Sequence, residues 1–237
     1  MKTLFVLAGG FGTRLRSVVT NVPKPLAPVL NKPFITYLIE HWIDQGINDF
    51  VFLLHYEAIQ IEAILKKLSL DSEYSNISFR SIYEDKALGT GGAVLHAIDR
   101  LMIKDSFLVA NADTWLDSGL SALSKEPPCA LVAVKVPNCK RYGALQMEGS
   151  LITQFNEKSS SIGQGYVSSG LYHLTPEIFN GLDVESVFSL ENTIFPKLVA
   201  NKKLFAIKVD GNFIDIGIPD DYLRFCNWIE EAKNIEL

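Results

Sequence analysis

Five side chains of this 237-residue chain have the types and settings to handle phosphates, a nucleobase or a cation: Arg14, Lys24, Glu84, Asp113 and Asp215. Arg14 ends the run Gly9-Gly10-Phe11-Gly12-Thr13-Arg14. Glycines lack Cβ atoms, so such a run can turn sharply and bring its N–H groups close to a ligand. Thr13 adds a hydroxyl, and Arg14 adds a planar fork of donors suited to phosphate oxygens. Lys24 stands between Pro23 and Pro25, whose rings stiffen the loop around a point charge. Asp113 and Asp215 each lie just past a short apolar run, Phe107–Ala110 and Phe213-Ile214. Mg²⁺ usually takes one or two carboxylates plus phosphate oxygens, and these positions could supply them. On spacing alone, Asp113 is equally open to reading as a helix cap or turn former.

Glu84 opens a second glycine stretch, Glu84-Asp85-Lys86-Ala87-Leu88-Gly89-Thr90-Gly91-Gly92. It joins a strand end to a helix expected from about Gly91 to Leu101. A glycine-rich helix start is expected to offer free N–H groups and the positive dipole end to an anion or a base carbonyl. Taken alone, the stretch also fits a tight turn. Guanine presents two adjacent donors, N1–H and the 2-amino group, and an ionised carboxylate accepts from both. Uracil and thymine present one donor between two acceptors, which an amide matches better. Glu84 therefore points toward GTP, with Asp85 or backbone groups as the other possible readers.

These residues need elements to position them. Leu4 to Ala8 is a short apolar run of the kind that fills a parallel sheet. A helix is predicted from Pro33 to about Gln45, with Phe34, Leu38 and Trp42 on one face and Gly46 as its stop. Phe50–Leu54 reads as a second strand, Glu57–Leu68 as a second helix and Ile77–Ile82 as a third strand. This alternation predicts a sheet with covering helices, right-handed crossovers, and ligands at the carboxyl edge. Ala130–Val136 is a further strand, and a hairpin is expected around Glu148-Gly149-Ser150. Gly165–Tyr172 is a strand with small residues at its centre, Ser168, Ser169 and Gly170, where a ligand could approach closely. A helix capped at Ser189 should run to about Ala200, and Pro219 should start the last one.

The first loop competes with two other phosphate-binding patterns. A Rossmann fingerprint needs a third glycine where Leu15 stands, and a Walker A loop needs a Gly-Lys pair that does not follow here. Instead, Gly9-Gly10-Phe11-Gly12-Thr13-Arg14-Leu15 with Pro23-Lys24-Pro25-Leu26 closely resembles the signature of the sugar-1-phosphate nucleotidyltransferases, the nucleotide-sugar pyrophosphorylases. Within them it looks most like the heptose- and mannose-1-phosphate guanylyltransferases, and the resemblance covers nearly the whole chain. It implies a single α/β domain with a Rossmann-like, mixed, mostly parallel sheet flanked by helices. Residues 1–115 would bind nucleotide and 116–237 the sugar.

By the same resemblance, Arg14, Lys24 and Asp113 would be catalytic. Leu7, Ala8, Gly9, Gly10, Gly12, Thr13, Glu84, Leu88, Gly89 and Thr90 would bind the nucleotide. Gly143, Glu157, Lys158, Ser169, Gly170 and Glu191 would hold the sugar phosphate, and Asp113 with Asp215 would hold Mg²⁺. On charge alone, Glu157-Lys158 is a solvated pair. The chain departs from the family at Ala112, commonly glycine, and at Ile218, where the family has threonine. The implied reaction joins a nucleoside monophosphate from GTP to a sugar 1-phosphate, with D-glycero-D-manno-heptose 1-phosphate or a related hexose as the expected sugar. A same-fold transferase using UTP or CTP with another phosphate acceptor, or a non-catalytic regulatory homologue that binds nucleotide sugars, are the alternatives. The family also suggests a homodimer.

The composition agrees. Hydrophobic residues make up 48% and the net charge is −5, which excludes a globally basic surface for nucleic acid or anionic membrane. Three cysteines without a C-x-x-C pair fit a reducing compartment and no zinc site. Met1-Lys2-Thr3 leads into an apolar run too short for a signal peptide or membrane span, so a cytoplasmic protein is expected. By its length the chain is expected to lack the β-helical acyltransferase or epimerase domain that longer family members append.

Overall fold

The computed structural model describes residues 3–156 and 163–235. In chain order, β1 (Leu4–Leu7) leads to a small hairpin of β2 (Pro28–Val29) and β3 (Lys32–Pro33). Then come α1 (Phe34–Asp44), β4 (Asp49–Leu54), α2 (Ala58–Ser69), β5 (Ser78–Tyr83), α3 (Gly89–Leu101) and β6 (Phe107–Asn111). The second half holds β7 (Thr114–Leu116), α4 (Leu120–Leu123), β8 (Ala130–Val136), β9 (Ala144–Glu148), β10 (Leu151–Asn156) and β11 (Gly165–Leu174). It ends with α5 (Phe195–Ala200), β12 (Phe205–Val209), β13 (Phe213–Asp215) and α6 (Pro219–Ile235).

Nine strands form one sheet in the order β5-β4-β1-β6-β11-β8-β12-β10-β9. Parallel pairing joins β5, β4, β1 and β6. The long strand β11 enters antiparallel between β6 and β8, and β12 returns parallel to β8. The chain is thus a mixed α/β domain. The register of β11 shifts between Ser168 and Tyr172, where Gly170 has φ +81°. This glycine bulge turns Ser169 and Gly170 toward the site instead of continuing the ladder.

Both faces of the sheet are covered, which explains the unbroken apolar run of β1. Leu4 and Val6 pack with α1 residues Phe34, Leu38 and Trp42 on one face, and Phe5 packs with Phe107 and α3 residues on the other. Each such fully buried side chain contributes about 1.5–3 kcal/mol, against helix-propensity differences of a few tenths to about 0.7 kcal/mol. Burial, not intrinsic propensity, holds α1 in place. Pro33 stands just outside α1 as its cap residue, and Gly46 ends it at φ +92°.

A candidate active site at the carboxyl edge of the sheet

The turn after β1 brings three predicted elements together. Gly12 adopts φ +58°, and a Cβ there would stand 2.9 Å from the Lys24 Cβ. Its hydrogen side chain lets the glycine loop lie directly on the proline-flanked lysine. Lys24 begins a short 3-10 turn, Lys24–Leu26, capped by Pro23. The lysine side chain is only 10% exposed, and its Nζ lies 2.6 Å from Asp113 Oδ2 and 3.3 Å from Asp215 Oδ1. Burial pulls the ammonium pKa down, but the two carboxylates outweigh it, and the net shift is upward. The lysine expected on a phosphate is therefore tied, in this structure, to the two expected metal ligands.

The two aspartates are neighbours because β7 and β13 pair. Asp113 lies in the turn between β6 and β7, and Asp215 ends β13 opposite Thr114. The Ile216 N–H donates to the Asp113 carbonyl at 3.0 Å. Asp215 Oδ1 also accepts from the Gly217 N–H at 2.7 Å. A Cβ on Gly217 would come within 2.9 Å of Lys24 Nζ and 3.4 Å of Arg14 Nη2, so that glycine lets two cations and a carboxylate converge. Ala112, in the place of the family's glycine, is buried, and its N–H donates to the Leu7 carbonyl.

No group of three or more His, Cys, Asp or Glu that could hold a metal converges among the described residues. Two carboxylates remain, each with an oxygen not bonded to Lys24. That set fits a hard divalent cation that takes most of its ligands from phosphates and water.

Three cavities meet at Asp113. One of about 260 Å³ is lined by the glycine loop, Arg14 and Lys24. A second, of about 400 Å³, runs from Gly9 and Gly10 to Glu84, Gly89 and Thr90. A third, of about 640 Å³, takes in Arg14, Gly143, Ser169, Gly170, Glu191 and Asp215. The described residues predicted for phosphate, base and sugar line these adjoining chambers, except Leu88, which is buried and lines none of the three. Glu157 and Lys158 lie outside the described residues.

Glu84 is buried, and its Oε2 accepts from the Leu88 N–H at 2.9 Å. Its Oε1 faces Gly9, where a Cβ would stand 3.2 Å away. One oxygen shapes the loop, and lone pairs remain for a donor in the cavity. Burial raises the Glu84 pKa, against the lowering effects of the Leu88 N–H, His55 and His96.

One expectation is corrected. The Gly91 and Gly92 N–H groups are not free for a ligand; both donate to the Phe188 carbonyl, at 3.0 and 3.2 Å. The Phe188 N–H in turn donates to the Leu88 carbonyl at 3.0 Å. A Cβ on Gly89 would stand 2.6 Å from the Phe188 carbonyl oxygen, one on Gly92 2.5 Å from the Ser186 carbonyl oxygen, and one on Gly91 would overlap the Phe188 ring. These glycines seat the segment before Glu191. A second refinement concerns residues 190–194, which wind as a π-helical turn ahead of α5. Ser189 caps that turn as predicted, accepting from the Asn192 N–H.

Sequence reasoning missed Arg141, Tyr172 and Asn111. Arg141 Nη1 lies 2.6 Å from Asp221 and Nη2 3.7 Å from Asp215, tying the start of α6 to the site. Arg141 Nε and Nη2, Asn111 Oδ1 and Ser169 Oγ are buried without hydrogen-bond partners, and all four belong to residues lining the third cavity. Such groups cost stability unless water or a ligand pairs them. Tyr172 donates to Glu191 Oε1 at 3.2 Å. Arg141 and Tyr172 find their partners on other elements, and the Asn111 oxygen finds none among the described residues, so no local pattern marked them.

Comparison with known proteins agrees with this geometry. The family model described as nucleotidyl transferase matches residues 4–232. The D-glycero-alpha-D-manno-heptose 1-phosphate guanylyltransferase of Campylobacter jejuni is 35% identical, over 93% of this chain and 96% of its own length. The protein of the same name from Aneurinibacillus thermoaerophilus is 33% identical, over 92% of this chain and 94% of its own. The crystal structure of HddC from Yersinia pseudotuberculosis complexed with GMP-PN superposes with a TM-score of 0.82 at 31% identity. That match covers 97% of this chain and all of that one. No helix among the described residues is long and apolar enough to cross a membrane.

Proposed function

The chain belongs to the nucleotidyl transferase family, and from that premise we propose that it is a guanylyltransferase. It moves GMP from GTP to a sugar 1-phosphate, with release of pyrophosphate. The observation that carries this reading is the junction at Asp113, where the base, phosphate and sugar chambers meet beside Lys24 and Arg14. An oxygen of the sugar phosphate attacks the α-phosphorus in line. A new P–O bond forms as the bond from the α-phosphorus to the bridging oxygen breaks, and the electron pair leaves with pyrophosphate. The protein supplies position and charge.

Glu84 reads the guanine edge, and the loop Leu7–Thr13 holds the phosphates. Arg14 offsets charge on the departing pyrophosphate, and Lys24 offsets charge on the phosphates that meet at the junction. Gly143, Ser169, Gly170 and Glu191 line the sugar, with Glu157 and Lys158 assigned there from sequence. Residues to about 115 serve the nucleotide and the rest serve the sugar. Asp113 and Asp215 would hold a divalent cation, which we assign as Mg²⁺; when bound it would neutralise charge on the reacting phosphate. The two bacterial relatives make a manno-configured heptose 1-phosphate the first acceptor to test.

The test is pyrophosphate release with each of the four common nucleoside triphosphates against a panel of sugar 1-phosphates, with Mg²⁺. Release with GTP and a manno-configured acceptor is expected, and chelation should stop it. Release only with UTP or CTP would overturn the role of Glu84. No release with any pair would overturn the enzyme.

A further inference from the structure

The family resemblance assigns Thr90 to the nucleotide, yet its hydroxyl is committed elsewhere. The Thr90 Oγ1 donates to Glu191 Oε2 at 2.7 Å and accepts from the Leu190 N–H at 2.9 Å. The other Glu191 oxygen accepts from Tyr172, a fully buried phenol. Each carboxylate oxygen keeps a lone pair for a further donor. Glu191 is therefore held by a donor on each oxygen, which fixes where its carboxylate points. Thr90 borders both the base chamber and the sugar chamber.

We propose that Thr90 is a positioning residue for the sugar substrate: it acts through Glu191, and not on the nucleotide. This inference rests on the guanylyltransferase reading. The structure carries it in two ways. The contact spans 101 positions of sequence and ties the start of α3 to the segment before α5. The surrounding hydrogen bonds run without a gap from Glu84 through Leu88 to Phe188, and from Leu190 through Thr90 to Glu191. The wall of the base chamber thereby fixes the carboxylate of the sugar chamber. The single Thr90 oxygen both donates to Glu191 and accepts from Leu190. Serine keeps that chemistry, and the isosteric valine loses it.

The experiment compares Thr90→Val and Thr90→Ser with the wild-type enzyme, varying GTP and sugar 1-phosphate separately. Wild-type turnover comes first; if it is absent, the guanylyltransferase reading falls and takes this inference with it. With turnover in hand, Thr90→Val should raise KM for the sugar 1-phosphate by about ten- to hundredfold, the worth of one hydrogen bond to a charged group. KM for GTP should stay within about twofold, and Thr90→Ser should restore the wild-type value. In an Glu191→Ala background, Thr90→Val should add little, because the two act as one unit. Parallel rises in both KM values, or an undiminished Thr90→Val effect without Glu191, would refute the positioning role. An unchanged sugar KM in Thr90→Val would do the same. Should Thr90→Val fail to fold, the Thr90→Ser and Thr90→Asn pair keeps the question open to measurement, with Ser expected near wild type and Asn shifted for the sugar alone.

Discussion

Glu84, to which we assign base reading, is a carboxylate whose burial works against stability. Its carboxylate is buried, and burial is the largest influence on its pKa, moving it above the ordinary value of 4.5. Between 4.5 and that raised value, the folded protein binds more protons at Glu84 than the unfolded chain does. Stability therefore falls as pH rises through that window, and above it the folded state carries a buried charge. Glu84→Gln removes the charge while its amide oxygen can still accept from Leu88. We expect its Tm to exceed wild type at about pH 8, with the advantage gone below the unfolded value near 4.5. The same change puts an amide donor against the donors of guanine, so preference for GTP over UTP should shrink. Melting curves across pH and nucleotide titrations read the two effects separately, and a Glu84→Gln protein that keeps full GTP preference would remove Glu84 from base reading.

The elements around the site were legible in the sequence where the pattern is local. The apolar run of β1, the glycine turn, the stiffened lysine and the helix stop at Gly46 all follow from neighbouring residue types. What sequence left open is long-range: which strand slips between β6 and β8, and what rests on the glycines of α3. Periodicity defines the faces of a strand but not its neighbour, so the antiparallel entry of β11 carries no local mark. Gly89, Gly91 and Gly92 looked like a cradle for an anion because a bare helix start usually is one. Their partner is instead the backbone at residues 186–188, almost a hundred positions away. This gives an element-scale test. Gly91→Ala should gain about 1 kcal/mol of helix propensity but lose about 1–3 kcal/mol or more through collision with the Phe188 ring. A net loss in urea unfolding is expected; a net gain would mean that the seat is looser than the contacts require.

At the scale of the whole molecule, one sheet runs through both the half we assign to the nucleotide and the half we assign to the sugar, and β11 is hydrogen-bonded to β6 on one side and β8 on the other. The halves should therefore unfold together. A saturating nucleotide at about a hundred times its Kd adds about 2.7 kcal/mol, which for a chain of this size moves Tm by roughly 5–10 °C. Calorimetry should show a single transition that moves as a unit, and two separable transitions would argue for independent halves. The three-glycine seat under Ser186 and Phe188 bears on how such a protein can be rebuilt. A designer wishing to exchange guanine for another base would think of transplanting residues 84–92 from a relative as a self-contained cassette. The seat makes the module discontinuous: residues 186–191 must travel with it, because the donor's loop and the recipient's resting segment would meet backbone to backbone at Gly89 and Gly92 and against the Phe188 ring at Gly91, with little room to absorb a mismatch.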